Sequence, residues 1–383
     1  MQKFEKHSPV VVTEVTTKHE LRQFMQYPNR LYADNPNYIP SFYGDDLSDW
    51  TPGKNPAFDY CEARCWLAWR DGEIVGRIGA ILSHKANDKF GTHRMRFSQV
   101  DFVDDSEVSA ALFGMVERWA REKGCDQVHG PLGFTDMDRE GMLVEGFDRR
   151  SLFFTNYNAP YYLEHLTRLG YRKDVDWIEY RITVPAPGSA EAERLHKLSE
   201  FILKRKNLHV ATVHHKSEYG PFVRQVFELV NAAYAPLYGV VELSDEQIER
   251  YANKFIPLVD PDFVCFVLDE QDKLVAFGVT ALDPSVALKH SDGRLFPFGW
   301  AGVLNDLHHS DTLIMLLTAV RPDLQTEGIN AVMMDHVCQS CNRHGVQFAE
   351  TGPMLELNDH ILAQWKRLEK EQHKRRRCFI KEL

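Results

Sequence analysis

No segment of this sequence is apolar for long enough to cross a bilayer as a helix. The longest run, Leu313 to Val320 with its neighbours, reads as a buried strand. The opening MQKFEKHSPVVVTEVTTKHE has no apolar stretch of the signal-peptide kind. A surplus of positive charge is also missing: 45 Lys and Arg face 55 Asp and Glu, a net charge of -10, the opposite of a generic nucleic-acid binder. Cysteine is sparse, with seven in 383 residues, too few for a disulfide scaffold and suited to a reducing compartment. Cys338-Gln-Ser-Cys341 has no second CxxC at finger spacing and no strand leading directly into it. Ile329, Val332, Met333, Val337 and Cys341 recur at helical spacing, so the two thiols read as small hydrophobes on a buried helix face, although His336 and His344 flank them. The expectation is a cytoplasmic protein, with peripheral contact at the inner membrane left open, and with no metal and no nucleic-acid partner.

What is present is ordinary globular composition, 44% hydrophobic and 26% charged, in a chain long enough for two to three domains. Two regions share one plan. In the first, Cys65 to Trp69, the Asp71-Gly72 turn and Ile74 to Leu82 make a hairpin, and Phe97 to Val103 is the next strand. A helix capped by Asp105 or Ser106 follows, with Val108, Leu112, Met115, Val116 and Trp119 on one face, then a short strand ending in Gly130-Pro131. In the second, Phe263 to Leu268, Leu274 to Ala281, Leu313 to Val320, a helix from about Gly328 to Arg343 and a strand from Val346 to Glu350 ending in Gly352-Pro353 repeat that order. The Pro185 to Ala190 segment is the linker candidate. The predicted division is therefore 1–184, a linker at 185–192, and 193–383. The basic run His373 to Arg377 reads as a solvated face, the alternative being attraction to phosphates or anionic lipid heads. His214-His215 and His308-His309, read as strand neighbours, point to opposite faces and make no metal pair.

A hairpin, a central strand with a helix starting just after it, and a further strand and helix resemble the GNAT acyltransferase core. The fold class expected is thus α/β (α+β), with two GNAT-like acyl-CoA N-acyltransferase domains, each a mixed, mostly antiparallel sheet flanked by helices. Val320-Arg-Pro-Asp-Leu-Gln325-Thr-Glu327-Gly328-Ile329-Asn330 resembles the GNAT phosphate loop, with Gln325 and Gly328 matching and Asn330 departing from the last small position. By that resemblance Val320, Gln325, Glu327, Gly328, Ile329 and Asn330 hold acyl-CoA at a helix N-terminus. In the first half Asp101 to Ser106 stands in the same place, and its carboxylates would repel a pyrophosphate.

Further phrases of the first half, Asn55-Pro-Ala-Phe58, Asp71-Gly-Glu-Ile-Val-Gly-Arg77-Ile, Gly130-Pro-Leu-Gly-Phe134, Glu140-Gly-Met-Leu-Val-Glu-Gly-Phe-Asp148 and Tyr157-Asn-Ala-Pro-Tyr-Tyr162, resemble the YghO-like family, which includes bacterial ceramide synthases. The second half matches that family through the loop and the final Lys374-Arg-Arg-Arg-Cys-Phe-Ile380. The resemblance implies acyl transfer from acyl-CoA or an acyl carrier protein to a small-molecule or lipid amine, a sphingoid base in the ceramide synthases of the family.

N-acylation needs a base for the ammonium proton, a donor to the oxyanion and an acid for the leaving thiolate. The stretch from Phe134 to Asn158 is an insertion relative to the second half and combines five carboxylates with glycines and apolar residues. Glu145 or Glu140 is the expected base; Val144 and Gly146 beside Glu145 suggest burial and a raised pKa. Tyr162, at the start of the helix where GNAT folds carry a tyrosine, is the expected acid. Asp136, Phe153, Asn158 and Tyr161 are expected to contact substrate. Against these stand plainer roles: a loop cap for the carboxylates, sheet packing for the tyrosines and a helix cap for Asn158. A different reading of the whole chain is a catalytically degenerate GNAT fold that binds a lipid or a protein partner. A third, aminoacyl transfer from tRNA, is disfavoured by the acidic charge.

Overall fold

The computed structural model describes residues 8–383. In the first half the elements are β1 (Val11–Glu14), α1 (Lys18–Leu31), α2 (Tyr43–Asp49), β2 (Cys61–Arg70), β3 (Glu73–Ser83), α3 (His84–Phe90) and β4 (Arg94–Phe102). They continue with α4 (Ser106–Glu122), β5 (Gln127–Gly130), β6 (Met142–Glu145), α5 (Tyr162–Arg168) and β7 (Arg172–Thr183). The second half holds α6 (Ala190–Lys206), β8 (His209–Val210), α7 (Gly220–Tyr234), α8 (Asp245–Phe255), β9 (Val264–Leu268), β10 (Leu274–Leu282) and α9 (Ser285–His290). After these come α10 (Gly299–His309), β11 (Thr312–Val320), α11 (Asn330–His344), β12 (Phe348–Glu350), β13 (Met354–Leu355), α12 (Asp359–Gln364) and β14 (Lys370–Glu382).

These elements group into two compact units. The first comprises the described residues up to Asp176 with Leu288–Gly299 and Arg376–Leu383; the second comprises Trp177–Ala287 and Trp300–Arg375. Sequence order alone would assign 193–383 to one domain, whereas the contact grouping puts two of its segments with the first unit. Residues 185–189 lie between β7 and α6, and Ser189 caps α6 through the Ala192 N–H.

The first unit's sheet runs β1-β2-β3-β4-β5 and is completed by the C-terminal half of β14, where Phe379 to Glu382 pair with Gly130 to Gln127. The second runs β8-β9-β10-β11-β12 and is completed by β7, where Thr183 to Arg181 pair with Phe348 to Glu350. Directions match strand for strand: each sheet is antiparallel except for one parallel pair, β4 with β5 and β11 with β12. Each sheet takes its last strand from the other half of the sequence.

Local chemistry explains the elements. Asp71 and Gly72 both adopt positive φ, 52° and 83°, as a two-residue hairpin turn that follows strand twist requires. The Asp105 carboxylate caps α4 by accepting from the Glu107 and Val108 N–H groups. The buried face of α4, including Val108, Leu112, Phe113, Val116 and Trp119, joins Phe97, Phe102 and Ile78 in the first core. Gly76 makes room for that helix, since a Cβ there would lie 2.7 Å from Leu112 Cδ1.

The run His373–Arg377 corrects the expectation of a solvated face. It is strand, not surface loop, and Lys374 and Arg376 are fully buried. Lys374 lies 3.2 Å from both Glu179 and Glu350, and Arg377 holds Asp176 through two nitrogens at 2.7 and 2.9 Å. Arg376 donates to Thr155 Oγ1 and to the Asn156 carbonyl. The acidic partners lie on β7 and β12 and the neutral ones in the loop before α5, all far away in sequence.

Candidate functional site

The two parallel strand pairs each hold together for three residues only: Arg94–Arg96 with Gln127–His129, and Thr312–Ile314 with Phe348–Glu350. Beyond that point each long strand continues without its parallel neighbour. Both long strands also carry a register shift: β4 between Ser98 and Asp101 opposite Gly79 and Arg77, and β11 between Met315 and Leu317 opposite Thr280 and Val279. Bulges of this kind bend a strand and re-aim its groups.

In the second unit a cavity opens where β11 continues alone. It encloses about 80 Å³ and is lined by Met315, Leu317 and Thr318 of β11, Gly278 of β10, Met333, Met334 and Val337 of α11, and Trp365. Few polar groups reach it. Asn330, the first residue of α11, lines one part, and Gln364 lines another, with its amide nitrogen buried and without a hydrogen-bond partner among the described residues. An apolar lining with a few placed polar groups is the kind of lining a small-molecule site has.

The turn that enters α11 lies between Val320 and Asn330. Val320 is buried, and its carbonyl accepts from the Gln325 amide at 3.4 Å. Gly328 has φ +80°, a conformation that side-chain-bearing residues avoid, and a Cβ there would stand 3.1 Å from Ile202 Cδ1. Ile329 is buried in the second unit's core, and Glu327 pairs with Lys206 at 2.7 Å. Leu324 and Glu327 close the turn by donating to the Arg321 and Leu324 carbonyls, and Ala331 and Val332 donate to those of Gly328 and Ile329. The first N–H groups of a helix have no partner within it, so the start of the 15-residue α11 favours an anion.

The same place in the first unit is filled. The Phe102 N–H at the end of β4 donates to Tyr162 Oη at 2.8 Å, and Tyr161 donates to the Phe102 carbonyl. Tyr162 is fully buried, stacks on Phe102 at 4.1 Å and shares a 2.7 Å hydrogen bond with Tyr32, which caps the end of α1. Burial, with Asp101 and Tyr161 nearby, pushes its phenol well above the ordinary range. The first turn of α4 already carries a carboxylate, Asp105, itself held by Arg70. Tyr161 and Tyr162 thus occupy the position where the second unit has its cavity wall.

The insertion after Gly130-Pro131 is ordered by its own polar groups. Asn158 bridges β6, accepting from the Leu143 N–H and donating to its carbonyl. Phe153 is buried, 5.3 Å edge-on to Phe42. Glu145, expected to be buried, is exposed at the end of β6. Glu140 has the perturbation expected of a base. Its surface exposure is intermediate, yet desolvation dominates and, with Asp136 and Asp138, raises its pKa well above the carboxylate range against the pull of Arg96. Asp136 is pushed up to about 6, chiefly by burial, and its Oδ1 has no partner among the described residues. Asp138 instead caps the loop through the Phe134 and Thr135 N–H groups. Glu140 and Asp136 therefore come together, while Glu145, the half-buried Tyr161 and the buried Tyr162 belong to other surroundings.

Sequence reasoning did not single out Asp101. It is buried on the β4 bulge with Arg77 Nε at 2.7 Å; Arg77 also donates to the Phe24 carbonyl and to Gln99. Burial raises the Asp101 pKa even against Arg77. The only signal for it was a carboxylate at an inward-facing strand position. Cys338 and Cys341 lie on α11, their thiols pushed up by burial to about 11 and about 12, which suits packing and not redox chemistry. His308 and His309 end helix α10, not a strand, each with Nδ1 near a backbone carbonyl one turn back. A group not anticipated, His129, Asp174 and Cys378, places N, O and S atoms within 4.8 Å of one another. The Arg94 guanidinium lies 3.7 Å from Asp174, which disfavours a second cation there.

No protein-family model matches the chain. It is 27% identical to Protein YghO of Escherichia coli (strain K12), over 97% of this chain and 95% of that one. It is 29% identical to the bacterial ceramide synthase of Caulobacter vibrioides, over 76% of this chain and 75% of that one. Among solved structures, a tandem GNAT protein from the clavulanic acid biosynthesis pathway superposes with a TM-score of 0.55 at 13% identity, covering 97% of this chain and 98% of that one. A GCN5-related N-acetyltransferase from Sphaerobacter thermophilus superposes with 0.52 at 13% identity, covering 97% and 95%. With two sheets of the same order, each with one short parallel pair and a bulged long strand, the chain has a tandem GNAT fold and is similar along most of its length to Protein YghO and to a bacterial ceramide synthase.

Proposed function

We propose that the protein is an acyl-CoA-dependent N-acyltransferase acting on a primary amine. The acceptor suggested by similarity to a bacterial ceramide synthase is a sphingoid long-chain base. The observation that carries the reading is the continuity of the second unit's site. Asn330 belongs both to the start of α11 and to the cavity wall, so one ligand with an anionic head and an apolar tail satisfies both. A CoA thioester has that form, and an acyl carrier protein presents its pantetheine in a similar way. Val320, Gln325 and the Glu327–Asn330 turn hold the head, and the Met315–Met333 cavity takes the chain.

The amine nitrogen must be unprotonated to attack the thioester carbonyl carbon; the C–N bond forms, the C–S bond breaks and the thiolate leaves. Glu140 is the base candidate by its own chemistry, since a carboxylate whose pKa is raised accepts a proton more readily near neutrality. Asp136 holds the ammonium form beside it. Tyr162, whose hydroxyl is committed to Tyr32 and Phe102, is a positioning residue in this scheme.

Mass spectrometry of the amide formed from CoA thioesters and an amine panel tests the reading. Glu140→Gln should retain thioester binding and lose about 10²–10⁴-fold in rate. If the protein neither binds acyl-CoA nor releases thiol with any amine, the reading falls. A second reading, a catalytically silent fold that holds a lipid or a partner, draws support from the first unit, whose thioester position is filled by tyrosines and Asp105.

A further inference from the structure

Among the described residues, Phe296 and Phe298 are the two most exposed phenylalanines, and they lie in one short stretch with Trp300. Phe296 is 80% exposed, Phe298 81% and Trp300 47%, and Leu304 follows one turn after Trp300 at 46%. The base of the loop is fixed. The Tyr43 N–H donates to the Gly293 carbonyl at 2.9 Å, and the Arg294 guanidinium lies over the Tyr43 ring at 5.2 Å. Gly293, at φ +74°, sits so close to the Ser41 carbonyl that a Cβ would come within 1.9 Å of its oxygen. The loop closes on itself at Gly299, where a Cβ would meet the Arg294 carbonyl at 1.9 Å. A held base and a bare aromatic tip are not the pattern of a loop collapsed onto its own core, where such rings would bury their area. Helix α10 continues the pattern: Val303 and Leu307 face inward, while Trp300 and Leu304 form an i,i+4 apolar stripe outside.

Charge distinguishes the partner. From Gly293 to Asn305 the only charged side chain is Arg294, in a chain whose net charge is -10. A stretch without carboxylates and with one arginine at its base complements a layer of phosphate-bearing headgroups. Phenylalanine and tryptophan are the side chains that enter the acyl boundary beneath such a layer. We infer that Phe296, Phe298, Trp300 and Leu304 insert into the interface of a phospholipid bilayer, with Arg294 at the headgroup level. The inference stands apart from the acyl-transfer reading, because it concerns where the protein docks and not what it catalyses.

The test is co-sedimentation of the full chain with sucrose-loaded vesicles of phosphatidylethanolamine and phosphatidylglycerol. Binding should survive about 1 M NaCl, because buried apolar area is not screened as charge is. Each ring removed should weaken binding about tenfold, so Phe296→Ser/Phe298→Ser should bind about a hundredfold less well. Leu357→Ser, a change at an exposed apolar residue outside the stretch, should bind as the wild type. Quenching of tryptophan fluorescence by brominated phosphatidylcholine, reduced by Trp300→Phe, gives a second readout on a conservatively altered chain. Failure of the wild type to bind vesicles, or undiminished binding by the double variant, would overturn the inference. So would loss of a dimer in solution by the double variant, which would make a second copy of the chain the occupant.

Discussion

Gly278→Leu offers a direct test of the acyl pocket. Gly278 lies on β10 with ordinary backbone angles, and its missing Cβ would stand 3.8 and 3.9 Å from Cβ and Sδ of Met333, normal contact distances. The backbone therefore accepts a side chain, and the rest of the leucine enters the cavity that Gly278 lines. If it displaces three methylenes of a bound chain at about 0.8 kcal/mol each, the loss is about 2.4 kcal/mol, or about 60-fold in affinity. Calorimetry with CoA thioesters from butyryl to palmitoyl reads the effect. Wild-type affinity should rise about fourfold per added methylene until the cavity is full, and the variant should reach its plateau about three carbons earlier. Short thioesters should bind both proteins alike, because the turn from Gln325 to Asn330 is untouched. A chain-length dependence that is flat in the wild type, or a variant that weakens butyryl-CoA as much as palmitoyl-CoA, would refute the assignment of the cavity.

Asp136→Asn should shift the ascending limb of the rate–pH profile to lower pH. The Asp136 charge helps raise the Glu140 pKa, so its removal lowers that pKa and populates the basic form earlier. A profile that does not move would separate the two carboxylates. Gly328→Val should cost about 1–2 kcal/mol of stability from the left-handed conformation alone and abolish acyl-CoA binding; intact binding would remove the turn from the site. Lys374→Met leaves Glu179 buried beside one fewer cation and should cost about 3–5 kcal/mol in urea unfolding, with Lys374→Met/Glu179→Leu recovering much of it.

The repeated core was legible because its signals are local. Asp71-Gly72 demands a hairpin, Asp105 demands a helix start, and the apolar spacing of α4 and α11 follows from the helical period. The exchanged last strands were not legible. The strand Cys378-Phe379-Ile380 announces itself, but nothing in it says that its partner is Gln127–Gly130 and not a neighbour in its own half. The same distance hid the fate of His373–Arg377, whose carboxylates lie on strands that sequence proximity does not connect. In the candidate site, Glu140 and Asp136 were visible as carboxylates in a long insertion. Glu145 misled because flanking Val144 and Gly146 do not bury a residue at a strand end. Asp101 escaped notice because it was weighed as a charge against phosphate, when burial on the bulge is what sets its chemistry. Tyr32, the partner of Tyr162, sits just beyond the end of α1, 130 residues away in sequence, a distance over which no local pattern connects the two.

The exchange of last strands also sets a timetable. On a ribosome the N-terminal unit makes β1 to β5 early, yet the strand that pairs with Gln127–Gly130 lies about 250 residues further on, on the order of tens of seconds later at ordinary elongation rates. During that interval the free side of β5 presents unpaired backbone groups and the apolar surface that Cys378, Phe379 and Ile380 later bury. The second unit has no such wait, because β7 is synthesised before the strands it joins. The half made first is thus the last to finish folding, and it is the half that depends on a chaperone or on chance shielding until synthesis passes Arg376.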